Sequence, residues 1–320
     1  MKTRNLKFSM SMIGIAILVA GMLPSCSKKS SSGPTGPGDT TVILLGGYAS
    51  SDSVAPSDLI AYWPFDGNAN DAKGGLTATT TGATFTAGLR KQAYQGAAGA
   101  YATLTPGTAF SSLSSFSVSV WYNLPALPVA GEPGGMFFLS GATPAQDGNL
   151  IILEADVPSP SQVGTDSVKI HHGFTDPGSP NYKGFTMESY DTNAVAKWEH
   201  IVMTYDAGSS TYVFYQNGVP IGVNSAWSSG GYVTPTTMYD GPLPLGSGSP
   251  ATALLGAINF TSDPPTNIII GTWPAGLYGV SSSLGAHGSF LGQMDDLRVY
   301  DKALSQGEVA GLYLNGKVGR

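Results

Sequence analysis

FLGQMDDLRVYDKALSQGEVAGLY, residues 290–313, is the stretch whose reading decides the fold. Residues 294–300 read as a strand, apolar at Met294, Leu297, Val299 and Tyr300 and interrupted by the acidic pair Asp295–Asp296. Asp301 and Lys302 make a turn. Ser305 then stands as a helix N-cap with Glu308 three residues on, a capping box in front of Val309, Leu312 and Tyr313.

Working back from this ending, the chain reads as short strands separated by turns. Residues 59–65 (LIAYWPF) form a first strand that runs into a dense turn, Asp66-Gly67-Asn68-Ala69-Asn70-Asp71. Residues 115–122 alternate, with Phe116, Val118, Val120 and Tyr122 on one face and Ser117, Ser119 and Trp121 on the other. Residues 198–205 and 211–216 form a pair, and Asn217-Gly218 follows as a hairpin turn because both residues tolerate positive φ. Shorter strands are expected at 83–86, 92–94, 101–104, 136–139, 150–154, 167–174, 184–190 and 267–271. Glycine (43) and proline (22) are plentiful while charged residues are only 11%, which favours uncharged strands and turns over long surface helices. The expected fold is all-β: a two-sheet antiparallel jelly-roll sandwich with one short C-terminal helix. Three Gly/Ser/Pro-rich passages, 125–148, 156–169 and 224–266, exceed hairpin length and read as loops that carry function or disorder.

The first residues read as an export signal. Lys2, Arg4 and Lys7 precede an apolar run over 10–22 that is too short for an ordinary membrane-spanning helix. Without those three cations the net charge moves from -6 to -9. An acidic surface with no Lys/Arg cluster argues against nucleic acid as partner and suits neutral sugars or cations. Residues 23–26, Leu-Pro-Ser-Cys, resemble the lipobox of bacterial lipoproteins, and Cys26 is the sole cysteine. The resemblance implies lipidation of Cys26, a leader over 1–25 and a membrane anchor. Ser27 in place of an aspartate implies the outer membrane, on either leaflet. Residues 26–56 are read as the lipidated cysteine and a flexible tether, and 57–320 as the folded domain.

Four blocks resemble the laminin-G-like, concanavalin A-like lectin and glucanase domains in order: 59–74, 115–125, 198–222 and the closing segment from Phe290. The resemblance implies a jelly roll with one concave face; many such domains bind glycans or proteins, and some bind a calcium ion. It implies a structural calcium that joins the Asp66 turn to the last strand, with Asp66, Asn68, Asp71 and Asp295 as ligands and Asn70 beside them. The simpler alternative is that these Asx side chains satisfy turn amides.

A sugar platform needs an aromatic face with polar neighbours. Strand parity puts Trp121, His200 and Tyr215 away from the core, and Trp227, Tyr232, Tyr239 and Trp273 lie in or near the long 224–266 passage. Trp121, His200, Tyr215, Trp227, Tyr232 and Trp273 are therefore the expected glycan-binding residues, against the alternative that each is packing. Glu154-Ala155-Asp156 sets two carboxylates on one strand face, as glycoside hydrolysis requires. Laminarinase-like glucanases follow such a pair with a further Glu; here 157–160 read Val-Pro-Ser-Pro. The His171–His172 pair, with Tyr182 near, faintly resembles a jelly-roll polysaccharide lyase, but adjacent strand residues face opposite ways and cannot share one metal. The leading expectation is thus a non-catalytic, lipid-anchored envelope module that binds a glycan or other surface polymer. A divergent glycan-cleaving enzyme using Glu154 and Asp156 is the alternative, and a structural or adhesive protein with a protein partner is the third reading.

Overall fold

The computed structural model describes residues 43–128, 133–145, 148–156, 167–179, 185–192, 194–225, 231–232, 236–240, 253–274 and 288–320. The strands run in chain order as β1 (Leu59–Trp63), β2 (Thr79–Thr81), β3 (Thr84–Ala87), β4 (Gln92–Gln95), β5 (Tyr101–Leu104) and β6 (Phe116–Asn123). Then come β7 (Gly134–Ala145), β8 (Gly148–Asp156), β9 (Val168–Phe174), β10 (Phe185–Asp191), β11 (Trp198–Asp206) and β12 (Thr211–Gln216). The last six are β13 (Val219–Pro220), β14 (Val223–Ser225), β15 (Gly231–Tyr232), β16 (Thr236–Thr237), β17 (Asn267–Ile270) and β18 (Gln293–Tyr300). A one-turn helix, α1 (Thr108–Ser111), precedes β6, and α2 (Gln306–Gly316) closes the chain.

These strands form two antiparallel sheets. The first has the order β13-β12-β11-β6-β18-β4-β3, with β1 on β18 and β16 on β12; the second is β15-β14-β10-β9-β8-β7-β17-β5-β2. The expected sandwich and its closing helix are both present. Phe116, Val118, Val120 and Tyr122 of β6 and Ile201, Met203 and Tyr205 of β11 enter the core between the sheets, as their parity requires. Asn217 and Gly218 take φ of 51° and 80°, the turn that the Asn-Gly pair predicts.

The last strand lies in the interior of the first sheet. One edge of β18 pairs with β6, while its other edge is shared, with β4 at Gln293–Met294 and β1 from Leu297 to Tyr300. At the change of partner the register slips between Asp295 and Arg298, and Asp296 has φ 49°. The acidic pair that interrupts the apolar pattern is thus a β-bulge.

From β18 the chain turns back over the outer face of its own sheet. The Ser117 hydroxyl donates to the Lys302 carbonyl (2.7 Å) and accepts from the Leu304 amide (2.8 Å). The capping box is formed, with the Glu308 carboxylate accepting from the Ser305 amide at 2.7 Å. Val309 and Leu312 of α2 bury against Val202, Tyr215 and Tyr300. Residues 43–56, read from sequence as tether, belong to this folded unit, which begins after Thr41. Tyr48 packs into the same cluster, and the Asn315 amide donates to the Leu45 carbonyl at 2.9 Å. The 125–148 passage contains the whole of β7, a 12-residue strand that extends the stretch expected at 136–139. Its Gly-rich ends hide its full length, which is held extended by pairing to β8 along one edge and to β17 along the other.

Trp121→Ala removes an aromatic ring packed beneath α2 and lowers stability by about 3–5 kcal/mol, read as a fall in the urea midpoint at unchanged m. Ser305→Ala removes the cap alone and costs about 1 kcal/mol in the same measurement.

Candidate functional site

The second sheet carries a polar cluster on its outer face. Ile151, Leu153 and Ala155 of β8 point into the core. Ile152, Glu154 and Asp156 therefore share the opposite face. In β9 the core takes Ile170 and Phe174, so Lys169 and His171 lie outward; in β10 it takes Met187, so Glu188 and Tyr190 lie outward. Register sets them in two rows across three strands. Glu154 opposes His171, which opposes Glu188; Asp156 opposes Lys169, which opposes Tyr190.

Each cation in these rows meets two carboxylates. His171 Nδ1 lies 2.9 Å from Glu154 Oε1 and its Nε2 lies 3.2 Å from Glu188 Oε1. Lys169 Nζ lies 2.9 Å from Asp156 Oδ2 and 3.5 Å from Glu188 Oε1. The Tyr190 hydroxyl donates to Glu188 Oε2 at 2.9 Å. Burial alone would strip the proton from His171, but its two glutamates overcome this and push it up to about 9. Burial raises Glu188, yet His171, Lys169 and Tyr190 outweigh it and hold the carboxyl down to about 2. Glu154 is fully buried, and its Oε2 has no hydrogen-bond partner.

The expected parity of Trp121, His200 and Tyr215 is right, and their expected exposure is corrected. The three are brought to one face of the first sheet, but α2 covers that face. Trp121 stacks on Tyr313 of α2 (centroids 5.6 Å, 18°) and lies 4.8 Å from the His200 ring. A Cβ on Gly316 would come within 2.6 Å of the Trp121 indole nitrogen, so the helix seats directly on the ring. Burial, with Arg298 adding, drives His200 down to about 3, and its Nε2 pairs with the Ser119 hydroxyl at 2.9 Å. Tyr215 packs with Val202 and Leu312. Trp227 lies outside the described residues. Tyr232 lies in β15 at the edge of the second sheet, and Tyr239 bridges Leu254. Among the described side chains Trp273 joins the polar face: it packs with Phe138, Ile152 and Ile269, and Ile152 precedes Glu154 by two on the same face of β8.

His171 and His172 point to opposite faces, as parity demands. His172 is in the core, stacked on Phe214 at 3.9 Å, with Nδ1 2.7 Å from the Tyr212 hydroxyl and Nε2 2.9 Å from the Ser189 hydroxyl. Sequence reading found Glu154 and Asp156 but missed Glu188. Nothing local marks that residue; only the β9–β10 register brings it to His171.

The side chains expected to hold calcium make contacts within the chain. Asp71 accepts from the amides of Tyr62, Lys73 and Gly74, and Asn68 accepts from the Asn70 amide. Asp66 takes the Gln92 amide and the Lys91 ammonium, at 3.1 and 2.9 Å. Asp295 accepts instead from the Arg90 amide at 2.9 Å. Burial and the neighbouring Asp296 push its carboxyl up to about 8, and its Oδ1 is buried without a hydrogen-bond partner. The β3–β4 turn thus supplies, through amides and Lys91, what a cation would supply to both elements. Among the described residues no three histidine, cysteine or acidic side chains gather to hold a metal.

A family model described as the concanavalin A-like lectin/glucanases superfamily matches residues 95–261. No curated protein matches the chain. Among solved structures, domain 4 of AbnA, a GH43 extracellular arabinanase from Geobacillus stearothermophilus in complex with arabinotriose, is similar at 16% identity and TM-score 0.46. That likeness covers 80% of this chain and 98% of the other. The ligand binding domain of Botulinum neurotoxin serotype D, in complex with N-acetylneuraminic acid, is similar at 10% identity and TM-score 0.49, over 82% of this chain and 52% of that one. Trypanosoma rangeli sialidase with the inhibitor DANA is similar at 12% identity and TM-score 0.45, over 80% of this chain but 32% of its own.

His171 gains affinity for its proton on folding, so its contribution is complete below pH 6.5 and is lost as pH rises through about 9. Glu188 has the opposite sense: its contribution is present above pH 4.5 and lost as pH falls through about 2. The stability difference between wild type and His171→Gln therefore shrinks by about 2 kcal/mol between pH 6.5 and 9.5 in urea titrations. Chelation with EDTA leaves the melting temperature unchanged; a fall of several degrees restored by calcium would show that Asp66 and Asp295 do bind the ion.

Proposed function

The chain belongs to the concanavalin A-like lectin/glucanases superfamily, and on that premise we propose that it is a non-catalytic binding module of the cell envelope that holds a glycan on the outer face of its second sheet. The observation that carries this reading is the double row Glu154–His171–Glu188 and Asp156–Lys169–Tyr190, next to the apolar strip that ends at Trp273. Polar side chains held rigid by one another, beside an aromatic, suit sugar hydroxyls and C–H faces.

The same geometry weighs against hydrolysis. Cleaving a glycosidic bond needs one carboxyl that keeps its proton near neutral pH to protonate the leaving oxygen. Glu188 is held ionised, and Glu154 and Asp156 each face a cation at 2.9 Å.

Lipidation of Cys26 at the outer membrane is part of the proposal. Its support is the Leu-Pro-Ser-Cys sequence. Residues 43–48 join at α2, over the outer face of the first sheet, and the polar rows lie on the outer face of the second. No helix among the described residues is long and apolar enough to cross a membrane.

The test is affinity electrophoresis of the full chain against a polysaccharide panel, with reducing-end and unsaturated-product assays on the same panel. Retardation without product release is the expected result. Product release that is lost in Glu154→Gln would make the protein an enzyme. Silence in both assays, with a protein recovered by cross-linking, would make it an adhesive or structural component. Palmitate labelling that disappears in Cys26→Ala is the expected result for the anchor.

A further inference from the structure

The closing helix is buried on one side, and its other side is apolar. Val309 and Leu312 face the first sheet, whereas Leu314, and Val318 one turn on, are 39% and 58% exposed. Residues 43–48 run beside that outer side. The Asn315 amide donates to the Leu45 carbonyl at 2.9 Å, Arg320 Nη1 donates to the Ile43 carbonyl at 3.0 Å, and a Cβ on Gly46 would meet the Gly311 Cα at 2.9 Å. These contacts hold Ile43 and Leu44, 62% and 57% exposed, next to the end of α2. On the opposite flank Gly218 lies against Ala310 and Tyr313, and Val219 beside it is exposed. Five of the seven exposed large apolar side chains among the described residues thus border one short helix, where scattered single ones are the ordinary case. The charges around them have one sign. Residues 309–320 hold Lys317 and Arg320 and no acid, and 42–51 hold no charged residue, in a chain with 21 acids to 15 bases. Lys317 lies over the Tyr313 ring and Arg320 on a carbonyl, so neither charge is compensated by those contacts.

From this arrangement we infer that the outer side of α2 lies on a phospholipid bilayer, with Ile43, Leu44, Leu314 and Val318 at the boundary of headgroups and acyl chains and Lys317 and Arg320 on anionic headgroups. The inference rests on the reading of Cys26 as lipidated. Cys26 stands 17 residues before Ile43, so the chain that carries the lipid enters the folded unit at this patch. A tether of that length spans at most about 60 Å, which lets the patch reach the surface. Lipidation supplies one membrane signal, and an apolar patch with adjacent cations supplies the second that stable attachment takes.

The test uses the full chain in vesicles of phosphatidylethanolamine and phosphatidylglycerol that contain a nitroxide lipid as quencher. A fluorophore is placed on Val318→Cys or, as control, on Thr80→Cys in the exposed strand β2. Cys26 is the sole natural cysteine, so its lipidation leaves the new thiol as the one to label. Expected is quenching at 318 about threefold or more above that at 80. Leu44→Asp with Leu314→Asp lowers quenching at 318 to the level at 80, while the protein still sediments with the vesicles and keeps its melting temperature. Lys317→Gln with Arg320→Gln acts in the same direction, as does phosphatidylcholine in place of phosphatidylglycerol. Equal quenching at 318 and 80 in vesicle-bound protein overturns the membrane surface and leaves the anchor standing. Quenching at 318 unchanged in the folded Leu44→Asp, Leu314→Asp protein overturns it too. Shielding of the 318 label without vesicles, rising with protein concentration, makes a second copy of the chain the occupant and overturns the inference. Uptake of the dye by the wild type, whose sole thiol is Cys26, overturns the anchor on which the inference rests.

Discussion

Arg298 is a guanidinium with almost no solvent exposure, and a buried cation persists only where its neighbours compensate it. Its Nη2 lies 2.8 Å from Asp52 and 3.5 Å from Asp296, its Nη1 lies 3.4 Å from the Ser51 carbonyl, and its plane sits 4.1 Å from the Tyr62 ring centroid. Arg90, from the β3–β4 turn, reaches the same two aspartates at 2.7 and 3.7 Å, while the Tyr62 hydroxyl donates to Asp296. One electrostatic knot therefore ties the start of the folded unit, β1, the β3–β4 turn and the last strand. Removing one member of such a group strands a buried charge and costs about 3–5 kcal/mol. The bulge at Asp295–Asp296 is what makes the knot geometrically possible, because it sends two consecutive carboxylates to different partners.

That knot fixes β18 inside the first sheet, and much else follows from its place there. The chain must leave β18 over the outer face of its own sheet, because the inner face is the core. The Ser117 hydroxyl guides the turn, and the capped helix lands on Trp121 and Tyr215. Aromatics on that face are consumed by packing. The outer face of the second sheet receives no such helix among the described residues, and there a charged row sits in place of an apolar one.

Much of this was legible in the sequence. The Asn217-Gly218 turn, the Ser305–Glu308 box, the alternation of β6 and the opposition of His171 to His172 all came from local chemistry, and the structure has them. Glu154 and Asp156 were visible as a pair because i, i+2 spacing is a local property. Their partners were not. His171 is 17 residues from Glu154 and Glu188 a further 17, and only two consecutive antiparallel registers place them side by side.

The sequence by itself determined which side of its strand each residue occupies and that the folded chain is a β-sandwich closed by a helix, since side-chain period and turn chemistry act within a few residues. The tertiary structure decided what each outward side meets, an aromatic helix contact on one sheet and a charged row on the other. Trp121, His200 and Glu154 all point away from the core by the same parity rule. The closing helix, far downstream of both, covers the first two, and the neighbouring strand β9 sets His171 against the third. Period specifies direction along one strand; what waits in that direction is set by pairing and packing between segments far apart in the chain.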